Sequence, residues 1–136
     1  MQQKEDSEEL LNILLPFAEG QLKKRRGFYP FGAVMLNSGE LKLTEIGFDG
    51  SAEELIAALT AEHKATADRG EIKASGIAWD GRITPPDGEK TDAVLVSLEH
   101  RERYSVVIGE PYKLGFWKKP KFGEIVALEG EHKVFR

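Results

Sequence analysis

Each of the three histidines follows a glutamate: Glu62 and His63, Glu99 and His100, Glu131 and His132. A carboxylate beside an imidazole could orient a general base, and three imidazoles together could hold a divalent metal. The spacing supports neither. Metal-binding motifs place two histidines close together on one face, whereas these are more than 30 residues apart. In a strand, Glu99 and His100 would point to opposite sides. Ser75 and Asp80, in "ASGIAWDG", have no recognisable base partner and read as a strand that a glycine weakens before an Asp80–Gly81 turn. With no cysteine in the chain, disulfides, thiolate nucleophiles and cysteine-held zinc or iron–sulfur centres are excluded. No Gly-x-Ser-x-Gly, phosphate-cradling glycine loop or dinucleotide fingerprint occurs. No cofactor, metal site or catalytic residue is expected.

Aromatic and basic residues are the remaining chemistry. Phe28, Tyr29 and Phe31 follow "KKRR" at 23–26, and Phe116, Trp117, Lys118 and Lys119 lie in "KLGFWKKPK" at 113–121. Rings interleaved with cations are what single-stranded nucleic acid binding uses. The net charge of −4 and the lack of any RNA-binding motif disfavour that partner. Phe28 and Phe31 could equally plug the gap between a helix and a sheet. A tryptophan next to two lysines in a loop is better suited to an interface, because its indole N–H wants a partner. Trp79 and Tyr112, with nearby carboxylates, are the residues from which a small-ligand pocket would be built. The candidate binding residues are therefore Phe28, Tyr29, Phe31, Trp79, Tyr112, Phe116, Trp117, Lys118 and Lys119.

The elements that must position them follow from periodicity and capping. Asp6 and Glu9 suggest a capping box at the start of a first helix, whose apolar stripe is Leu10, Leu11, Leu14, Leu15, Ala18 and Leu22. Pro16 predicts a kink or two short helices, and Gly27 a left-handed terminator. "FGAVMLN" and "ELKLTEIGF" read as a hairpin around Asn37, Ser38 and Gly39. Ser51 and Glu54 form a second capping box, and Gly70 ends that helix, with Leu55, Ile56, Leu59, His63 and Thr66 on one face. Strands are expected in "EIKASGIAWDGRI", "DAVLVSLEHRE", "YSVVIGEPYKL" and "GEIVALEGEHKVF". "TPPDGEKT" at 84–91 is expected to be the most mobile inner connection. Short links make the strands antiparallel neighbours.

The expected fold is one α+β domain over 1–136. A helical segment at 1–27 precedes 28–136, which supplies a second helix and an antiparallel sheet of five to six strands covered by helices. Its order, helix, two strands, helix, three to four strands, resembles the profilin, roadblock and sensor-domain folds, which implies profilin-like layering and fixes no function. "PFGAV" at 30–34 is similar to the start of the cytidine and purine deaminases. The second helix has no His-x-Glu and the chain no Pro-Cys-x-x-Cys, so the zinc machinery is missing. Pro30 then discourages helix continuation and Gly32 permits close packing. The hairpin "DAVLVSLEHRERYSVVIGEPYK" is similar to those of small bacterial α+β proteins, some of them immunity partners of polymorphic toxins.

The acidic N-terminus is unlike a secretory signal, and no apolar run is long enough to span a bilayer, so a cytoplasmic location away from membranes is expected. The functional expectation is a non-enzymatic interaction domain, immunity-type or regulatory, with a protein partner. The alternatives are a small-ligand binder or small enzyme with an unrecognised pocket, and a weak nucleic-acid module.

Overall fold

The computed structural model describes residues 2–47, 49–86, 88–115 and 119–135. It contains α1 (Gln2–Arg25), β1 (Phe31–Leu36), β2 (Leu41–Thr44), α2 (Ala52–Asp68), β3 (Ile72–Ile83), β4 (Thr91–His100), β5 (Tyr104–Lys113), β6 (Lys121–Phe122) and β7 (Val126–Glu129). The fold is α+β, with a single antiparallel sheet ordered β2-β1-β3-β4-β5-β6, and β7 also paired to β5. The sheet has seven strands rather than five or six, because two short segments share the outer edge of β5. "GEIVALEGEHKVF" yields only the four residues of β7, and Val134 is buried outside any strand. No described helix is long and apolar enough to cross a membrane.

Register decides which side chains meet which helix. Ala74, Ala78, Val94, Val96, Leu98, Val106 and Ile108 share a face with Ala33 and Met35, and α1 covers them with Leu10, Leu14, Ala18 and Leu22. The helical spacing of those four, all fully buried, holds the helix to the sheet. Gly76 lies on this face, and Leu14 occupies the space a β-carbon would take.

Two local expectations for α1 need correction, the Asp6 cap and the Gly27 terminator, and the split into two short helices at Pro16 does not occur. The helix starts at Gln2, so Asp6 is inside it and caps nothing; its carboxylate is buried and accepts from Gln2 Nε2 at 2.7 Å and His100 Nε2 at 2.8 Å, with Lys73 Nζ 3.6 Å away. Burial works to raise the Asp6 pKa, and the hydrogen bonds from His100 and Gln2 and the Lys73 charge outweigh it, leaving it below the ordinary value. His100 Nδ1 accepts from the Glu102 amide at 3.0 Å, which leaves Nε2 as the donor to Asp6. Pro16 is exposed within one continuous helix, because the carbonyl it deprives of a donor belongs to exposed Asn12 and can be hydrated. Arg26, at φ 61°, takes the left-handed position expected of Gly27.

The second helix matches its sequence signals. Ser51 and Glu54 form the reciprocal capping box, and Gly70 follows the helix at φ 72°. Leu55, Leu59 and His63 face the other side of the sheet. His63 Nδ1 lies 2.7 Å from Ser75 Oγ and Nε2 2.8 Å from Thr44 Oγ1, so the ring ties α2 to β3 and β2. Burial lowers its pKa to about 4. The ring lies against Gly32, where an added β-carbon would come 2.8 Å from the Gly76 carbonyl oxygen and 2.9 Å from His63 Cε1. The C-terminal segment reaches this side too. Val134 packs with Val34 and Ile72, and the amides of Val134 and Phe135 donate to the buried Glu99 carboxylate at 3.0 and 3.3 Å. Asp80 and Gly81 continue β3 rather than turning, since both pair with β4.

Gly32→Ala is expected to destabilise the fold by roughly 2 kcal/mol, because a backbone carbonyl cannot rotate away as a side chain can; urea unfolding measures it. His63 is neutral in the fold down to about pH 4, whereas the unfolded chain takes up a proton near 6.5. Stability must therefore fall as pH drops between those values. In His63→Gln that part of the slope should vanish, which unfolding free energies measured at pH 7 and pH 5 would reveal.

Candidate binding site

Among the described residues, the sequence-derived binding residues do not form one surface. Phe28, Tyr29 and Phe31 meet in a cleft of about 820 Å³, together with Phe17, Gln21 and Arg25 of α1, Glu45, Ile46 and Asp49 of the β2–α2 connection, and Leu55 of α2. Tyr112 borders a second depression of about 480 Å³, beside Lys90, Lys113, Lys121 and Phe122. Trp79 belongs to neither. It packs with Ile83, Ala93 and Leu95 on the side of the sheet that bears α2, while Tyr112 is buried on the α1 side. A pocket built from Trp79 and Tyr112 is ruled out by register: Asp80 aligns with Val94 and Val94 with Glu110, so Tyr112 shares the Asp80 side and Trp79 points the opposite way. Lys119 is exposed, and Phe116, Trp117 and Lys118 lie outside the described residues.

The larger cleft forms because α1 continues past the point where β1 begins. Phe17, Gln21 and Arg25 recur every four residues, so they form a second stripe beside the buried one and overhang the chain as it passes through Pro30 into β1. Phe17 and Phe31 meet edge to face at 4.9 Å between ring centroids, and Phe31 and Phe28 at 5.8 Å. Such pairs favour one geometry over a loose apolar contact. This three-ring run is the floor. Phe31 is buried, Phe17 is 40% exposed and Tyr29, at the rim, is 78% exposed. Arg25 and Gln21 come from one wall and Glu45 and Asp49 from the other. "KKRR" also has a structural use: its first three residues are the basic last turn of α1, and Arg26 Nη1 donates to the Gly115 carbonyl at 3.1 Å.

A separate group of carboxyls lies under α1. Glu110 is only 6% exposed, its Oε1 is buried without a hydrogen-bond partner, and its carboxyl lies beside that of Glu19 of α1. Burial, reinforced by Glu19, pushes its pKa up to about 8. Two β-residues away on the same face, the Tyr112 hydroxyl donates to Asp80 Oδ1 at 2.6 Å. Burial raises the Asp80 pKa against the effect of that bond, with Asp92 adding to the rise, and burial with the Asp80 carboxylate raises that of Tyr112. Among the described residues no set of three or more His, Asp or Glu is arranged to hold a metal ion. Chemically the group is a proton-holding contact between helix and sheet. Its signal was the alternation Val106, Ile108, Glu110, Tyr112, which puts a carboxyl in an inward register. The 17–21–25 stripe was likewise readable, whereas Glu45 and Asp49 are brought to the cleft only by the tertiary fold.

No protein-family model, curated protein or solved structure matches the chain.

Glu110 stays protonated in the fold up to about pH 8, while in the unfolded chain it ionises near 4.5. The folded state holds the extra proton between these values, so stability falls as pH rises through them. Glu110→Gln should flatten that limb and raise the unfolding free energy by roughly 1 to 3 kcal/mol near pH 8, with little change at pH 4.5. Urea titrations at the two pH values provide the comparison.

Proposed function

We propose that this chain is a non-enzymatic binding domain that recognises a protein partner through the cleft between the end of α1 and the β2–α2 connection. The observation that carries the reading is the floor of three edge-to-face rings left partly open, with Tyr29 78% exposed at the rim. Exposed aromatic side chains held in place by packing lose little entropy on binding and are the residue types on which interface energy concentrates. The ionisable groups with the largest shifts support the same reading. Glu110 is buried beside Glu19 under α1, the Tyr112 hydroxyl donates to Asp80, and His63 has both ring nitrogens taken by hydroxyls. None of Glu110, Tyr112 and His63 borders the cleft. A cytoplasmic immunity-type or regulatory protein would work in this way, by covering a site on another protein.

Affinity capture from cells that express the chain, quantified for the native protein and Tyr29→Ala, tests the reading. The expected result is a discrete protein whose recovery falls at least ten-fold in the variant, which corresponds to about 1.4 kcal/mol at a single contact, while the unfolding midpoint stays unchanged. Equal recovery of every captured protein would place recognition elsewhere.

A further inference from the structure

We infer that the segment held in this cleft is a short extended peptide stretch carrying a bulky apolar side chain between an acidic residue and a basic one. The inference rests on the binding role proposed for the cleft and adds the chemistry of its occupant. Opposite charges stand on opposite walls. The α1 wall carries Arg25, at the end of a helix turn that also holds Lys23 and Lys24. The β2–α2 wall carries Glu45 and Asp49, and the first turn of α2 adds Glu53 just beyond.

Two of the neighbouring charged groups are already engaged. Arg26 is bonded to the Gly115 carbonyl, and the Glu54 carboxylate accepts from the Ser51 amide in the helix cap. Arg25, Glu45 and Asp49 have no ion pair or hydrogen bond among the described residues. They are exposed on either side of a ring floor that excludes water from its centre once covered. A ligand that buries an apolar group on those rings gains most if it sends an anion toward Arg25 and a cation toward Glu45 and Asp49. The same arrangement rejects a segment of the reverse polarity, because like charges would then face each other.

The open rim argues for a chain that enters and leaves rather than an enclosed small molecule. Small-molecule sites bury most of their ligand's surface, whereas here Tyr29 and Phe17 are 78% and 40% exposed. An aromatic or large aliphatic side chain can rest on Phe17, Phe31 and Phe28 while its flanking residues continue along the walls.

Panning a phage-displayed random heptapeptide library against the full chain tests this. Sequences enriched on the native protein and lost on Tyr29→Ala should share a large apolar residue with Lys or Arg on one side and Asp or Glu on the other. A synthetic heptapeptide of that sequence should bind Asp49→Lys about ten-fold more weakly, and replacing its basic residue with Glu should restore binding to that variant. Arg25→Glu should give the same result for the acidic position. These three cleft charges are exposed, so the variants should keep the native unfolding midpoint, which is measured alongside. Peptides that depend on Tyr29 but ignore both charge reversals would overturn the charge pattern and leave the cleft reading intact. Absence of any Tyr29-dependent peptide would overturn both.

Discussion

Leu10, Leu14, Ala18 and Leu22 have no accessible surface, and the way this stripe seats α1 on the sheet governs everything built around it. A helix of 24 residues, roughly 36 Å long, could slide or tilt on an apolar face alone. Polar contacts fix its position. Near its start Asp6 bonds to His100, and further along Glu19 lies against the buried Glu110 carboxyl, so the helix meets polar groups of the adjacent strands β4 and β5 at two well-separated points. Gly76 supplies a third constraint, because Leu14 fits where a larger residue would push it out. With the helix fixed in this way, its last two turns reach beyond the start of β1, and Phe17 meets Phe31.

The opposite face uses different means. His63 is uncharged and hydrogen-bonded at both nitrogens, which satisfies a buried ring without importing a charge. Its proximity to Gly32 brings α2 close against β1, and the position of α2 sets where the preceding connection runs, with Glu45 and Asp49 along it. Thus the two walls of the cleft are placed by two unrelated packing solutions on opposite sides of one sheet. The floor between them joins Phe17 of α1 to Phe31 of β1 and Phe28 in the residues leading into it.

Much of this was readable from the chain. The Ser51–Glu54 cap, the turn at Asn37–Gly39, the helix stop at Gly70 and the small residue needed at Gly32 all act over a few residues, and local chemistry determines them. Asp6 was misread because its spacing to Glu9 satisfies a capping pattern, and nothing local says that a histidine 94 residues away needs an acceptor. Pro16 breaks no helix here, since the cost of a missing donor depends on whether water reaches Asn12, which is a tertiary property. Phe28, Tyr29 and Phe31 stood out as candidates because they follow the basic run 23–26, and the structure places all three along one cleft with Phe31 buried. Trp79 and Tyr112 looked equivalent until register separated them, since a strand sends neighbouring parities to opposite sides.

The borders of the sheet are short. On one side β2 spans four residues, with Lys42 and Leu43 both exposed. On the other, β5 is covered by two separate pieces, Lys121–Phe122 and Val126–Glu129, instead of one long strand. Neither margin offers a continuous ladder of unpaired amides on which another molecule could stack. Margins this short give edge-to-edge pairing between molecules little to extend along, a protection that a longer outermost strand would forfeit.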